Sequence, residues 1–152
     1  MTQTTPPETP TTSEKPRIIV ICTGSRYFSS YHIVRTVLDY LQDRIESVYV
    51  GDATGADSLV AHWARTRQKD LHVFKADWQN LGKRAGFVRN KVMVDAALEA
   101  VRAGANLRPL GLVFWNGTKS NGTQNTLNLL IKANVTYREY GLIQTTEVRN
   151  EK

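Results

Sequence analysis

The chain has 152 residues, 41% hydrophobic and 22% charged, which suits one soluble globular domain with its own core. No run is long and apolar enough to cross a bilayer, and the single cysteine, Cys22, excludes an intrachain disulfide and a cysteine-ligated zinc site. The formal net charge of +6 favours anionic partners, with solubility alone as the plain alternative.

Residues 1–16 are rich in Thr and Pro and lack the apolar segment of a signal peptide, so a disordered leader is expected there. Arg17 to Thr23 (RIIVICT) is a β-branched run ending at Gly24, the pattern of a strand buried on both faces. Cys22 lies inside it and is expected to be a buried structural thiol, in keeping with a reducing, cytoplasmic setting. Tyr31 to Ile45 carries Ile33, Val34, Val37, Leu38 and Leu41 at helical spacing. Ser47 to Val50 is a second strand, stopped by Gly51, and Ala56 to Gln68 a helix with Leu59, Val60, Trp63 and Ala64 as its apolar stripe. Leu71 to Phe74 is a third strand. A polar loop over 75–86 then leads to a helix from Val88 to Ala103. After a linker carrying Pro109, Leu110 to Trp115 is the fourth strand, Thr123 to Ala133 the last helix, and Val135 to Tyr140 an edge strand. A domain over 17–143 and a polar tail over 144–152 follow from this order. Strands alternating with helices imply βαβ units, hence an α/β fold whose mainly parallel sheet of about five strands is flanked by helices. In such sheets ligands bind beyond the carboxyl ends of the strands, where three glycine-containing loops fall here.

The first loop is Gly24-Ser25-Arg26, with a glycine for close backbone approach, a hydroxyl, and a guanidinium suited to phosphate or carboxylate. A plain turn with a solvated arginine is the competing reading. The second runs from Gly51 through Asp52, Gly55 and Ala56 to Asp57, between a strand and a helix, where backbone N–H groups can face an anion. It is neither a Walker A motif nor a full GxGxxG fingerprint. Asp57 could simply complement the helix dipole. Asp52 would oppose a phosphate, so it is expected to face a ribose hydroxyl, a base or an arginine. The third loop, Asn116 to Thr123, includes Asn121, Gly122 and Thr123, and offers a polar cradle or ordinary turn chemistry. Between the last two loops lie Asp77, Trp78, Lys83, Arg89 and Asn90. Trp78 could stack on a base or pack, Lys83 could meet a phosphate, and Arg89 and Asn90 could reach back from a first helical turn. His32, His62 and His72 have no metal-ligand spacing, and Trp63 is read as core.

TGSRYF, GDATGADSLVAHWA, KADWQNLGKRAGFVRNKVM and the Gly-Thr of SNGTQNT together resemble the YspA-like, cpYpsA-related branch of the SLOG superfamily, over about Arg17 to Val135. The resemblance implies a Rossmann-like fold and binding of nucleotides or nucleotide-derived molecules. By position it implies ligand contacts from Gly24, Ser25, Arg26, Gly51, Gly55, Asp57, Asp77, Trp78, Lys83, Arg89, Asn90, Gly122 and Thr123. The chain departs from the family in having Asp52 where a second glycine is common. It also has Thr126 where the related LOG-type phosphoribohydrolases carry a glutamate implicated in cleaving an N-glycosidic bond, and a threonine cannot serve as a carboxylate base.

These points favour a non-catalytic binder of a nucleotide-derived signal, with ADP-ribose- or NAD-derived molecules implied by SLOG relatives. It would act as a sensor or sequestering protein, such as a viral or mobile-element sponge against host defence. No cofactor or metal is expected, and SLOG relatives suggest a homo-oligomer. The rival is a nucleotide hydrolase using Asp52, Asp57 or Asp77. Nucleic-acid binding, suggested by the DNA processing protein of natural transformation in the same superfamily, ranks last because no aromatic stacking platform is visible.

Overall fold

The computed structural model describes residues 15–142. Residues 1–14 of the expected leader and the expected tail over 144–152 lie outside them, as does Ile143 at the expected domain end. Five strands, β1 (Arg17–Gly24), β2 (Ile45–Gly51), β3 (Asp70–Phe74), β4 (Leu107–Gly117) and β5 (Tyr137–Leu142), form one sheet in the order β3-β2-β1-β4-β5. Every pairing is parallel. The helices are α1 (Tyr31–Leu41), α2 (Ala56–Thr66), the single turn α3 (Trp78–Leu81), α4 (Ala85–Ala103) and α5 (Asn121–Lys132). The result is a single Rossmann-like α/β domain.

The central strand shows why the sequence folds this way. Successive side chains of β1 alternate across the sheet, so both faces need apolar residues. Ile18, Val20 and Cys22 pack with Val34 and Leu38 of α1 and Val60 and Trp63 of α2. Ile19 and Ile21 pack on the other side with Met93, Val94 and Ala97 of α4 and Leu130 of α5. Trp63 is fully buried, as its apolar stripe predicts, and its indole N–H donates to Asp39 Oδ1 at 2.8 Å. Cys22 is fully buried too, and burial, reinforced by the charge of Asp57, raises its thiol pKa far above the ordinary value, which leaves it inert.

Several boundaries differ from the sequence reading, each for a local reason. The first helix stops at Leu41 rather than Ile45: residues 42–44 tighten into a 3-10 turn, and Ile45 opens β2 as a buried residue. Ile45 lies four residues after Leu41, so helical spacing alone could not separate it from the stripe. The polar stretch expected as a loop over 75–86 contains α3 and a 3-10 turn, Gly82–Arg84, that runs directly into α4. Pro109, expected in a linker, lies inside β4 opposite Ile19. The N–H of Gly111 points to the β5 side, where it donates to Thr136 O, and Pro109 has the same parity. Pairing with β5 begins only at Gly111, so the donor that proline lacks would have faced no strand. The edge strand begins at Tyr137, and α5 begins two residues earlier than expected, at Asn121.

Candidate functional site

Strand order reverses between β1 and β4, so their connections leave in opposite directions and open a crevice beyond the carboxyl ends. Gly24 closes β1 there. A Cβ on it would lie 2.4 Å from Phe114 O and 2.5 Å from the Ala56 side chain, so glycine is what lets β1, β4 and the start of α2 meet. Ser25 is buried and its hydrogen bonds stay within the protein: its N–H donates to Phe114 O, its carbonyl accepts from Phe28 and Ala56, and its hydroxyl accepts from the Tyr27 N–H. It pins the first loop to the second rather than lining the crevice. Arg26, next in sequence, is exposed on the crevice wall, and among the described residues no hydrogen bond or ion pair engages its guanidinium.

The second loop folds tightly against the first. Gly55 has φ +77°, and a Cβ there would come within 2.3 Å of the Arg26 carbonyl group. The Ala56 N–H donates to Ser25 O at 3.0 Å, so the first amide of α2 is already used. Asp57 turns back instead of lying along the helix end, and its Oδ2 accepts from the Ala53 N–H at 3.1 Å. Burial drives its pKa up to about 6, opposed by that N–H and by Arg89, and assisted by Asp52. Asp52 does face an arginine: its Oδ1 is 2.7 Å from Arg89 Nη1. A Cβ on Gly51 would sit 2.7 Å from both Arg89 Nη1 and Asp57 Oδ2, so this glycine makes room for the charged cluster.

Arg89 and Asn90 stand in the second turn of α4, since that helix begins three residues earlier than the sequence suggested. The Arg89 side chain is only 10% exposed; Nη1 also donates to Phe74 O at 3.3 Å and Nε to Asn90 Oδ1 at 2.8 Å. Asn90, itself buried, donates to Gly122 O and Asn125 Oδ1, tying α4 to the start of α5. Both residues line the crevice, yet most of their hydrogen-bonding capacity serves the protein. Trp78 lies across Gly86, with the indole 3.4 Å from where a Cβ would be, and stays 54% exposed beside the 49% exposed Phe87. Lys83 is exposed on the same wall. Asp77 does not line the crevice: it caps α3, accepting from the Asn80 N–H at 3.2 Å and the Asn80 side-chain amide at 2.9 Å.

On the third side, α5 aims its start at the crevice. Gln124 N–H is the first to bond back, to Ser120 O, which leaves the amides of Asn121, Gly122 and Thr123 ahead of the intrahelical ladder. A Cβ on Gly122 would meet nothing within 4 Å, so that position opens on free space. Thr123 is buried and its hydroxyl accepts from Ser120 at 2.8 Å. Thr126, one turn further, is completely buried and its hydroxyl has no partner among the described residues.

Together these walls enclose a cleft of about 740 Å³, within the range of small-molecule sites. Twelve of the sixteen residues singled out from sequence border it: Gly24, Arg26, Gly51, Asp52, Asp57, Trp78, Lys83, Arg89, Asn90, Asn121, Gly122 and Thr123. Ser25, Gly55, Ala56 and Asp77 do not; they hold the walls in place. Cys22, Thr23, Ala53, Thr54, Gly86, Phe87, Met93 and Ser120 border the cleft without having been singled out from sequence, although Ala53, Thr54 and Ser120 lie in the second and third loops read there. Gly86, Arg89, Asn90 and Met93 follow the i, i+3, i+4, i+7 pattern of one helix face, a signal hidden when the helix is started at Val88. Among the described residues no cluster of three or more His, Cys, Asp or Glu could hold a metal. His32 and His62 are exposed, and His72 stacks on Tyr49 and bonds Asp70.

Comparison with known proteins places this geometry. The model of the YspA, cpYpsA-related SLOG family matches residues 18–81, which span β1 through α3 and so include the first two loops. The Gene 61 protein of Mycobacterium phage D29 is 33% identical over 136 residues, covering 80% of this chain and 95% of that protein. Among solved structures, DNA processing protein A from Streptococcus pneumoniae aligns with 84% of this chain at a TM-score of 0.43 and 14% identity, and the chain spans 59% of its length.

Proposed function

The chain belongs to the YspA, cpYpsA-related SLOG family, membership that points to a nucleotide-related function, and on that premise we propose that the cleft binds a nucleotide or nucleotide-derived molecule and holds it intact. One observation carries this reading: a cleft of nucleotide size brings an exposed indole, Trp78, together with two exposed cations, Arg26 and Lys83, that have no hydrogen-bond or ion-pair partner among the described residues. An indole face takes a base, and cations and the leading amides of α5 take phosphates. ADP-ribose- and NAD-derived molecules fit the pairing of a base-stacking indole with these charges in one cleft. Intact binding is supported by Thr126, whose burial removes it from the cleft wall where a cleaving carboxylate would have to act. A sensing or sequestering role follows, and the mycobacteriophage relative is compatible with a viral protein that soaks up a host signal.

The test is to incubate the protein with a nucleotide pool that includes ADP-ribose and its cyclic derivatives, remove unbound material, denature, and identify what is released by mass spectrometry. Release of an unaltered nucleotide near one per cleft is the expected result. Cleaved product, or depletion of the pool beyond the protein present, would overturn intact binding.

One observation favours a second reading, turnover. Asp57, whose carboxyl burial raises to about 6, borders the cleft together with Asp52, and a carboxyl group that keeps its proton toward neutral pH is what general-acid cleavage requires. In that case Asp52→Asn or Asp57→Asn abolishes turnover while the nucleotide still binds.

A further inference from the structure

We infer that Asp52 makes the cleft select nucleotides whose sugar hydroxyls are free and reject those carrying a phosphate on the sugar. The inference rests on the nucleotide reading above and adds a discrimination to it. Asp52 is the first residue beyond β2, and its carboxylate is 32% exposed at the cleft wall. Both of its hydrogen bonds, from Arg89 Nη1 at 2.7 Å and from the Ala76 N–H at 3.4 Å, end on Oδ1. One oxygen therefore anchors the group, and Oδ2 remains as an acceptor without a protein donor among the described residues. A hydroxyl can donate to such an oxygen, and a phosphate cannot.

Charge points the same way. Arg89 is the cation at this end of the cleft, and it already pairs with Asp52 and lies close to Asp57. A phosphate arriving here would meet a guanidinium that is neutralised and a carboxylate of its own sign. Arg26 and Lys83 also border the cleft and, unlike Arg89, no carboxylate pairs with them among the described residues. The ligand's phosphates thus gain most from those two cations, which leaves Asp52 for a neutral, hydroxyl-bearing part. Replacing Asp52 by an amide would remove the repulsion and free the charge of Arg89 for an incoming anion, so the preference should vanish or invert.

Calorimetric titration with three matched pairs tests this: ADP-ribose and its 2′-phosphate, NAD and NADP, and AMP and adenosine 2′,5′-bisphosphate. The wild type should favour the unphosphorylated sugar by about tenfold or more, the scale of a charged hydrogen bond gained and a like-charge contact avoided. Asp52→Asn should bring the ratio to parity or reverse it, and Asp52→Ser, which offers a neutral hydroxyl in place of the charge, should do the same. A wild type that binds both members of a pair equally, or variants that retain the wild-type ratio, would overturn the inference while leaving nucleotide binding standing. A wild type that binds none of the six overturns the nucleotide reading and the inference with it.

Discussion

On the β2 side of the cleft, Arg89 gives its donors to Asp52, Asn90 and the Phe74 carbonyl, while Asp57 holds the Ala53 amide. At Arg26, Lys83 and the start of α5, by contrast, the cations are exposed and the leading amides of the helix precede its ladder. The same residue types therefore have different duties. A guanidinium with 10% exposure needs protein partners, because an uncompensated buried charge costs several kcal/mol. An exposed guanidinium has water and is not bound to any one geometry, so it can exchange that water for a ligand at little cost. The β2 side is a fixed template, and under the proposed function the exposed cations are where anions would be captured.

The largest expected effect comes from breaking the junction on which both sides depend. Gly55→Ala would push a Cβ into the Arg26 carbonyl at a positive φ. Overpacking and left-handed strain together should lower stability by about 4 kcal/mol. Urea denaturation measures it, and a loss below 1 kcal/mol would show that the loops are not locked together. Next, Arg89→Met strips Asp52 and Asp57 of their counter-charge. It should cost about 3 kcal/mol and weaken nucleotide binding as well, since the template loses its shape. A variant with unaltered stability would contradict the division drawn between the two sides.

Asp57 sharpens the same contrast through pH. Its carboxyl is raised from the ordinary 3.8 to about 6, so the unfolded chain gives up this proton at lower pH than the folded one. The stability linked to it is complete below about pH 4 and is lost as pH rises through about 6. Between pH 4 and pH 7 the wild type should lose on the order of 2–3 kcal/mol relative to Asp57→Asn, whose amide oxygen can still accept from Ala53. Parallel urea midpoints of the two proteins across that range would refute the assignment. The smallest effect on stability belongs to the open side: Arg26→Ala and Lys83→Ala should leave the melting temperature within about a degree. Each should weaken nucleotide affinity by about tenfold, read by titration. A loss of stability without a loss of affinity would move these residues to the template.

Much of the fold was legible because β1 and its helices carry unambiguous periods. RIIVICT needs cover on both faces, and the stripes of α1 and α2 provide it on one of them. The misplacements lie where one local pattern serves two structures. Ile45 continues the spacing of α1 yet opens β2, and the polar run before Val88 conceals helical turns because its side chains are exposed. Within the site, the glycines at strand ends were readable, whereas the partners of the charged residues were not. Asp52 was expected to meet a ribose, a base or an arginine, and only the return of α4 past the end of β2 chose the arginine.

The sequence by itself determined the α/β alternation, the burial of β1, the three loops at one edge and the family, since these depend on local period, on glycine at strand ends and on residue identity. Tertiary structure alone decided which polar residues became scaffold and which stayed available. Asp77 caps a turn, Ser25 ties two loops, Asn90 bridges α4 and α5, and Arg26 and Lys83 remain unengaged among the described residues. The physical reason is that a hydrogen bond or ion pair depends on distance in space, and residues as far apart as Asp52 and Arg89 meet only when the sheet sets their elements side by side.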